Sequence, residues 1–140
     1  MDLRIELATS ADPDRLFSFV DDLADYPQWM GLVHSATSAG DQAWDVELRG
    51  RIGPFARSKK LRMVRTVIDA PRHARFERSE GDGRQHGRWI LDAKVEATIN
   101  GSQLVMDLHY SGRLWSAVVE RALLDEVEAS KSRLTGLVSR

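Results

Sequence analysis

Residues 2–9 alternate, with Leu3, Ile5 and Leu7 on one side and Asp2, Arg4 and Glu6 on the other, the period-two signature of a half-buried strand. Asp12 then stands as an N-cap with Pro13 at the first helical position, and Leu16, Phe17, Phe19, Val20 and Leu23 supply an apolar helix face. Pro27 interrupts this helix, because a residue before proline is pushed out of helical geometry. A second, very short helix is predicted over Tyr26–Leu32. From Val33 to Tyr110 the period returns to two. Trp44, Val46 and Leu48 alternate with charges, as do Leu61, Met63 and Val67, then Trp89, Leu91, Ala93, Val95 and Ala97, then Leu104, Met106, Leu108 and Tyr110. A short polar strand surrounds Phe76. Gly40-Asp41, Gly53-Pro54, Ala70-Pro71, Gly81-Asp82-Gly83 and Asn100-Gly101 punctuate these runs, the last as a favoured two-residue hairpin turn. The period changes again at the end. Trp115, Val119, Leu123, Val127, Leu134 and Val138 recur at helical spacing, predicting a helix from Leu114 to Leu137 of roughly 35 Å at ~1.5 Å per residue.

The order is one strand, two short helices, a run of about six strands and one long helix, in a single domain over residues 1–140. Every strand is polar on one face, so the economical packing curls an antiparallel sheet of about seven strands around the C-terminal helix. A strongly curved sheet held off one helix leaves space that side chains do not fill, and that space is the reason to expect a ligand cavity. The fold class is α+β.

Composition narrows the setting. The chain has no cysteine, which excludes disulfides and thiolate metal sites and fits a reducing, cytoplasmic compartment. No basic-then-apolar leader opens the sequence, and no apolar run approaches the ~18 residues that span a membrane. The net charge of −1 conceals segregation: residues 1–48 hold ten acids and two bases, whereas residues 49–65 hold seven bases and no acid. A pI near 6.4 lacks the basicity of a dedicated nucleic-acid domain.

The segment "DLADYPQWMGLVHSA", residues 22–36, resembles the D-x-x-x-(Y/W)-P-x-W stretch of the START-related polyketide cyclase/dehydrase and lipid-transport superfamily, the SRPBCC or helix-grip fold. The likeness runs from "TSADPDRLFSFV" to the last helix and covers essentially the whole chain. It implies a helix-grip fold and the binding or transport of a hydrophobic, lipid- or polyketide-like molecule, with aromatase/cyclase activity in some members. It also implies that Tyr26 and Trp29, beside the helix-breaking proline, cap or line the cavity.

The inward parity collects Trp44, Leu48, Met63, Phe76, Trp89, Leu91, Met106, Leu108, Tyr110, Trp115, Val119 and Leu123, large apolar groups of the kind that line cavities of about 300–1,000 Å³. The same groups build ordinary cores. Arg65 shares that parity, and its guanidinium cannot shed its proton, so it must meet an acid, a carbonyl or water there. The resemblance implies an arginine on an interior strand that holds an enolate or carboxylate, with Arg65 the nearest analogue; Tyr110 is the inward hydroxyl that would move a proton in a metal-free cyclase. A bulge would instead send Arg65 to solvent. His34, His73, His86 and His109 fall on outward parities or near turns, and no spacing for a metal or cofactor stands out. Glu126 lies one residue off the apolar stripe of the last helix.

The basic block surrounds an apolar hairpin tip: Ile52, Pro54 and Phe55, flanked by Arg49, Arg51, Arg57, Lys59 and Lys60. This suits a lid over the cavity mouth, transient docking on anionic membrane, or a solvated strand edge. Nucleic acid is disfavoured, because no aromatic platform interleaves with these bases. Three readings follow: a carrier or sensor of a hydrophobic small molecule, acting as monomer or homodimer; a polyketide cyclase using Arg65 and Tyr110; and a membrane- or partner-binding module using the basic hairpin.

Overall fold

Alternation becomes geometry in a computed structural model that describes residues 2–52, 55–111 and 117–140; the side chains of residues 51–52, 55–57, 117–120 and 122–123 lie outside that description. The strands are β1 (Asp2–Thr9), β2 (Val33–Ser38), β3 (Ala43–Ile52), β4 (Phe55–Asp69), β5 (His73–Arg78), β6 (Trp89–Thr98) and β7 (Gly101–Tyr110). The helices are α1 (Pro13–Phe17) and α2 (Ala117–Val138), with a 3₁₀ segment at Leu23–Gln28. One antiparallel sheet runs β1-β7-β6-β5-β4-β3-β2, curled as a half-barrel. It is the helix-grip architecture the patterning predicts, and α2 packs against both β1 and β3.

The helical entry differs in detail from the sequence expectation. Asp12 caps α1 by accepting from Arg15 N at 2.9 Å, but the Ser18 hydroxyl donates to Arg15 O at 2.6 Å and the helix stops at Phe17. The second helix lies at Leu23–Gln28 rather than Tyr26–Leu32. Its amides at Asp25 and Trp29 donate to Asp22 O and Tyr26 O, and neither bond needs the nitrogen of Pro27, so the proline is accommodated inside the segment.

Two further shifts have local causes. A bulge between Arg65 and Val67 moves Val67 out of the Leu61–Met63 face, so that it pairs with outward Arg75. The β6–β7 turn is Ile99-Asn100, one residue earlier than expected, because Gly101 pairs with Thr98. A Cβ at Gly101 would collide with Thr9 O and the Ser10 backbone, so close approach of the β1 exit demands glycine there. Gly31 plays the same part beneath α2, where a side chain would strike Glu126, while Gly31 N donates to Ser130 Oγ at 3.4 Å. Most of the inward sets are buried as patterned, with Phe76, Leu104 and Met106 all at 0% exposure, whereas Ala97, near the end of β6, is exposed and Leu108 is half-buried. The outer face is laced with polar pairs, among them the Arg4–Asp107 ion pair at 2.8 Å and the His73–Asp92 hydrogen bond at 2.6 Å. No helix among the described residues is long and apolar enough to cross a membrane.

Candidate functional site

The 3₁₀ segment and Trp29 pack their aromatic rings onto the concave face of the sheet. Tyr26 is fully buried and its hydroxyl donates to Val20 O at 2.8 Å; the Trp29 indole donates to Phe19 O at 3.0 Å. Their rings lie 5.0 Å apart, and Phe76 sets its ring edge-to-face against both Tyr26, at 6.1 Å, and Trp44, at 5.5 Å. Both polar tips are therefore committed to the backbone between α1 and the 3₁₀ segment. Arg65 remains inward of its strand: Nη1 donates to Asp21 O at 2.7 Å and the guanidinium lies 5.6 Å from the Trp44 ring. Its Nε is buried with no partner among the described residues. Burial pushes the Asp21 carboxyl up, and the Arg65 cation opposes that shift.

Burial also pushes the Tyr26 hydroxyl well above its ordinary value of 10.0. The folded state thus binds the phenolic proton more tightly than the unfolded chain. Stability from this group is complete below pH 10 and is lost as pH rises above it. Tyr26→Phe is expected to cost about 1–2 kcal/mol near neutral pH, by leaving Val20 O unsatisfied, and to flatten the alkaline fall. Urea unfolding of both proteins between pH 7 and 11 measures this; parallel alkaline slopes would contradict it.

Register brings a second group of residues together. Trp44 pairs with Met63, Met63 with Arg78, and Trp89 with Tyr110; Arg78 lies one residue past the Glu77–Ile90 pair, so these five form one row across β3 to β7. The Trp89 and Tyr110 rings lie against each other at 4.3 Å between centroids, tilted by 60°. Arg78, with 9% of its side chain exposed, donates from Nε to Glu80 at 2.7 Å and from Nη1 to Gly87 O at 3.2 Å, and its Nη2 lies 3.4 Å from His86 Nδ1. Glu80 also accepts from Arg62 N at 3.2 Å. Burial raises the Tyr110 hydroxyl and the Arg78 cation lowers it, the first effect being larger, so Tyr110 keeps its proton at neutral pH. The row ends on Tyr110, the last residue of β7.

Sequence reasoning paired Tyr110 with Arg65. In the sheet these residues lie on β7 and β4, three strands apart, or roughly 14 Å at ~4.8 Å per strand. The cation in the Tyr110 row is Arg78. It stands two positions after Phe76 in "RHARFERS", but a strand so rich in charge reads as polar throughout. Lys59, assigned from the sequence to a surface flank, pairs with Leu48 on the concave side. Glu126 binds Arg133 at 3.0 Å on its own helix.

Leu91 and Met106 line the concave floor and Leu108 its margin. Among the described residues, an apolar recess between α2 and the β1 edge of the sheet holds about 20 Å³ and is bounded by Leu3, Ile5, Met30, Leu32, Leu108 and Val127, room for one water and too small for a guest at that edge. Trp115 lies outside the described residues, as do the side chains of Val119, Leu123, Arg51, Ile52, Phe55 and Arg57. Lys60 stands on the outer face beside Glu47, its partner across the β3–β4 ladder.

Comparison with known proteins follows the same lines. Residues 9–131 match the family described as polyketide cyclase/dehydrase and lipid transport. The chain belongs to this family. Its fold is shared with a START superfamily protein from Mycobacterium smegmatis (15% identity over 99% of this chain and 96% of that one, TM-score 0.69). It is shared equally with the Zhui aromatase/cyclase from Streptomyces sp. R1128 (12% identity, 100% and 94% covered, TM-score 0.71). A protein from Thermus thermophilus aligns at 17% identity over 99% and 97%, TM-score 0.72. No curated protein sequence matches the chain. The family's description covers polyketide cyclisation or dehydration and lipid transport, and these solved structures share its fold.

Proposed function

We propose that the protein carries or senses a hydrophobic or aromatic small molecule held between the concave face and α2. The observation that supports this is the row Trp44–Met63–Arg78–Trp89–Tyr110, in which flat and adaptable apolar groups converge with few polar ones, the composition of small-molecule sites. A guest at this end lies against Met63, Trp89 and Tyr110. Native mass spectrometry of protein purified from its own host is expected to show a retained mass that denaturation releases. The neutral probe N-phenyl-1-naphthylamine is expected to bind and to raise the melting temperature, since a ligand at 100 times its Kd adds about 2.7 kcal/mol. A bare polypeptide mass together with a silent probe would sink the reading.

A second reading, polyketide cyclisation, draws on the family description and on Tyr110. A hydroxyl that keeps its proton acts as a donor to a developing enolate rather than as a base. Tyr110→Phe would then lower turnover of a poly-β-ketone about 10²-fold or more while leaving its binding intact. Equal turnover by the two proteins would remove Tyr110 from the chemistry.

A further inference from the structure

Resting on the enclosed-ligand reading, we infer that the guest is an amphipathic monocarboxylate whose acidic head pairs with Lys59 while its apolar body lies along Met63, Trp89 and Tyr110. The ladder places Lys59 opposite Leu48, on the side of Leu61 and Met63, whereas Lys60 faces outward. It is half-buried there. Burial lowers the lysine ammonium and the nearby Arg78 cation lowers it further, with Glu80 opposing both.

The neighbouring charges are already spent. Arg78 has all three nitrogens engaged, by Glu80, Gly87 O and His86, and Glu80 divides its acceptance between Arg78 Nε and Arg62 N. Among the described residues the Lys59 side chain has no hydrogen bond and no ion pair within 4 Å. Outer-face arginines differ: Arg49 meets Glu47 at 3.2 Å and Arg75 meets Glu77 at 3.6 Å. Within this cluster of described residues, Lys59 and Arg78 against Glu80 leave one positive charge in excess, bordered by apolar and aromatic groups. A cation partly stripped of water gains most from an anion brought to it. One excess charge matches a monoanion, and the adjoining surface suits a hydrocarbon or ring system.

Displacement of N-phenyl-1-naphthylamine by dodecanoate, its methyl ester and dodecyltrimethylammonium tests this. Dodecanoate is expected to bind the wild-type protein about tenfold more tightly than the ester, with the cationic amphiphile weakest. Lys59→Met and Lys59→Gln are expected to erase the preference for the acid while leaving ester affinity within about twofold; Lys94→Met, on the outer face, is expected to keep it. Equal wild-type affinity for acid and ester overturns this inference whatever the variants do, and leaves the enclosed site standing. A preference that survives both Lys59 variants overturns it too. Failure of every compound to bind, probe included, overturns both readings.

Discussion

Phe76→Ala is expected to cost about 3–5 kcal/mol and to lower the melting temperature by upward of ~10 °C. The ring is fully buried at the centre of the concave floor, with Tyr26 on one side and Trp44 on the other, both edge-to-face. Truncation removes the transfer free energy of the ring, opens a cavity and dissolves two aromatic pairs, each contributing about 0.5–1.5 kcal/mol. Backbone pairing holds the site open on both sides, since Phe76 is matched to Arg65 and to Leu91, so collapse cannot recover much of the loss. Phe76→Leu keeps most of the volume and is expected to cost about 1–1.5 kcal/mol. Urea unfolding with an unchanged m-value separates the two. A loss below about 1 kcal/mol for the alanine variant would mean that the floor is not organised around this ring.

The second large effect concerns charge. Glu80→Ala is expected to cost about 3–5 kcal/mol, because it strands the Arg78 guanidinium in a largely dry site and leaves Lys59 beside it with no counter-charge. Arg78→Met is expected to cost clearly less. The Glu80 carboxylate it frees still accepts from Arg62 N and lies within reach of the Lys59 field. Arg78→Met/Glu80→Leu should therefore recover part of the single Glu80 loss, with a coupling energy of about 1–3 kcal/mol in the double-mutant cycle. Equal costs for the two single variants would deny Lys59 its place in this cluster.

These residues mark how far the sequence carries. The strand faces were legible because burial of one side imposes strict alternation: Leu3, Ile5 and Leu7, or Trp44, Val46 and Leu48, have no other period to obey. The motif around Tyr26 and Trp29 located the helical entry, but not its hydrogen bonds. A tryptophan that donates to Phe19 O looks the same in sequence as one that stacks on a guest. Arg78 was hidden for a different reason. What makes its burial tolerable is Glu80 and Gly87 O, contributed by the connection after β5, and a tertiary partner leaves no trace in local periodicity. The Asn100-Gly101 signal marked a real turn yet missed its frame, because the glycine answers to Thr9 and Ser10, about ninety residues upstream, rather than to the hairpin.

The pairing of β1 with β7 has a temporal consequence. Leu3 meets Leu108 and Asp2 meets His109, so a ribbon synthesised early finds its ladder partner in one synthesised late. Hairpins β3–β4 and β6–β7 can zip as they emerge from the ribosome, whereas β1 waits with a bare edge until residue 110 is available. Its alternating charges, Asp2, Arg4 and Glu6, keep that waiting ribbon from associating with other nascent chains.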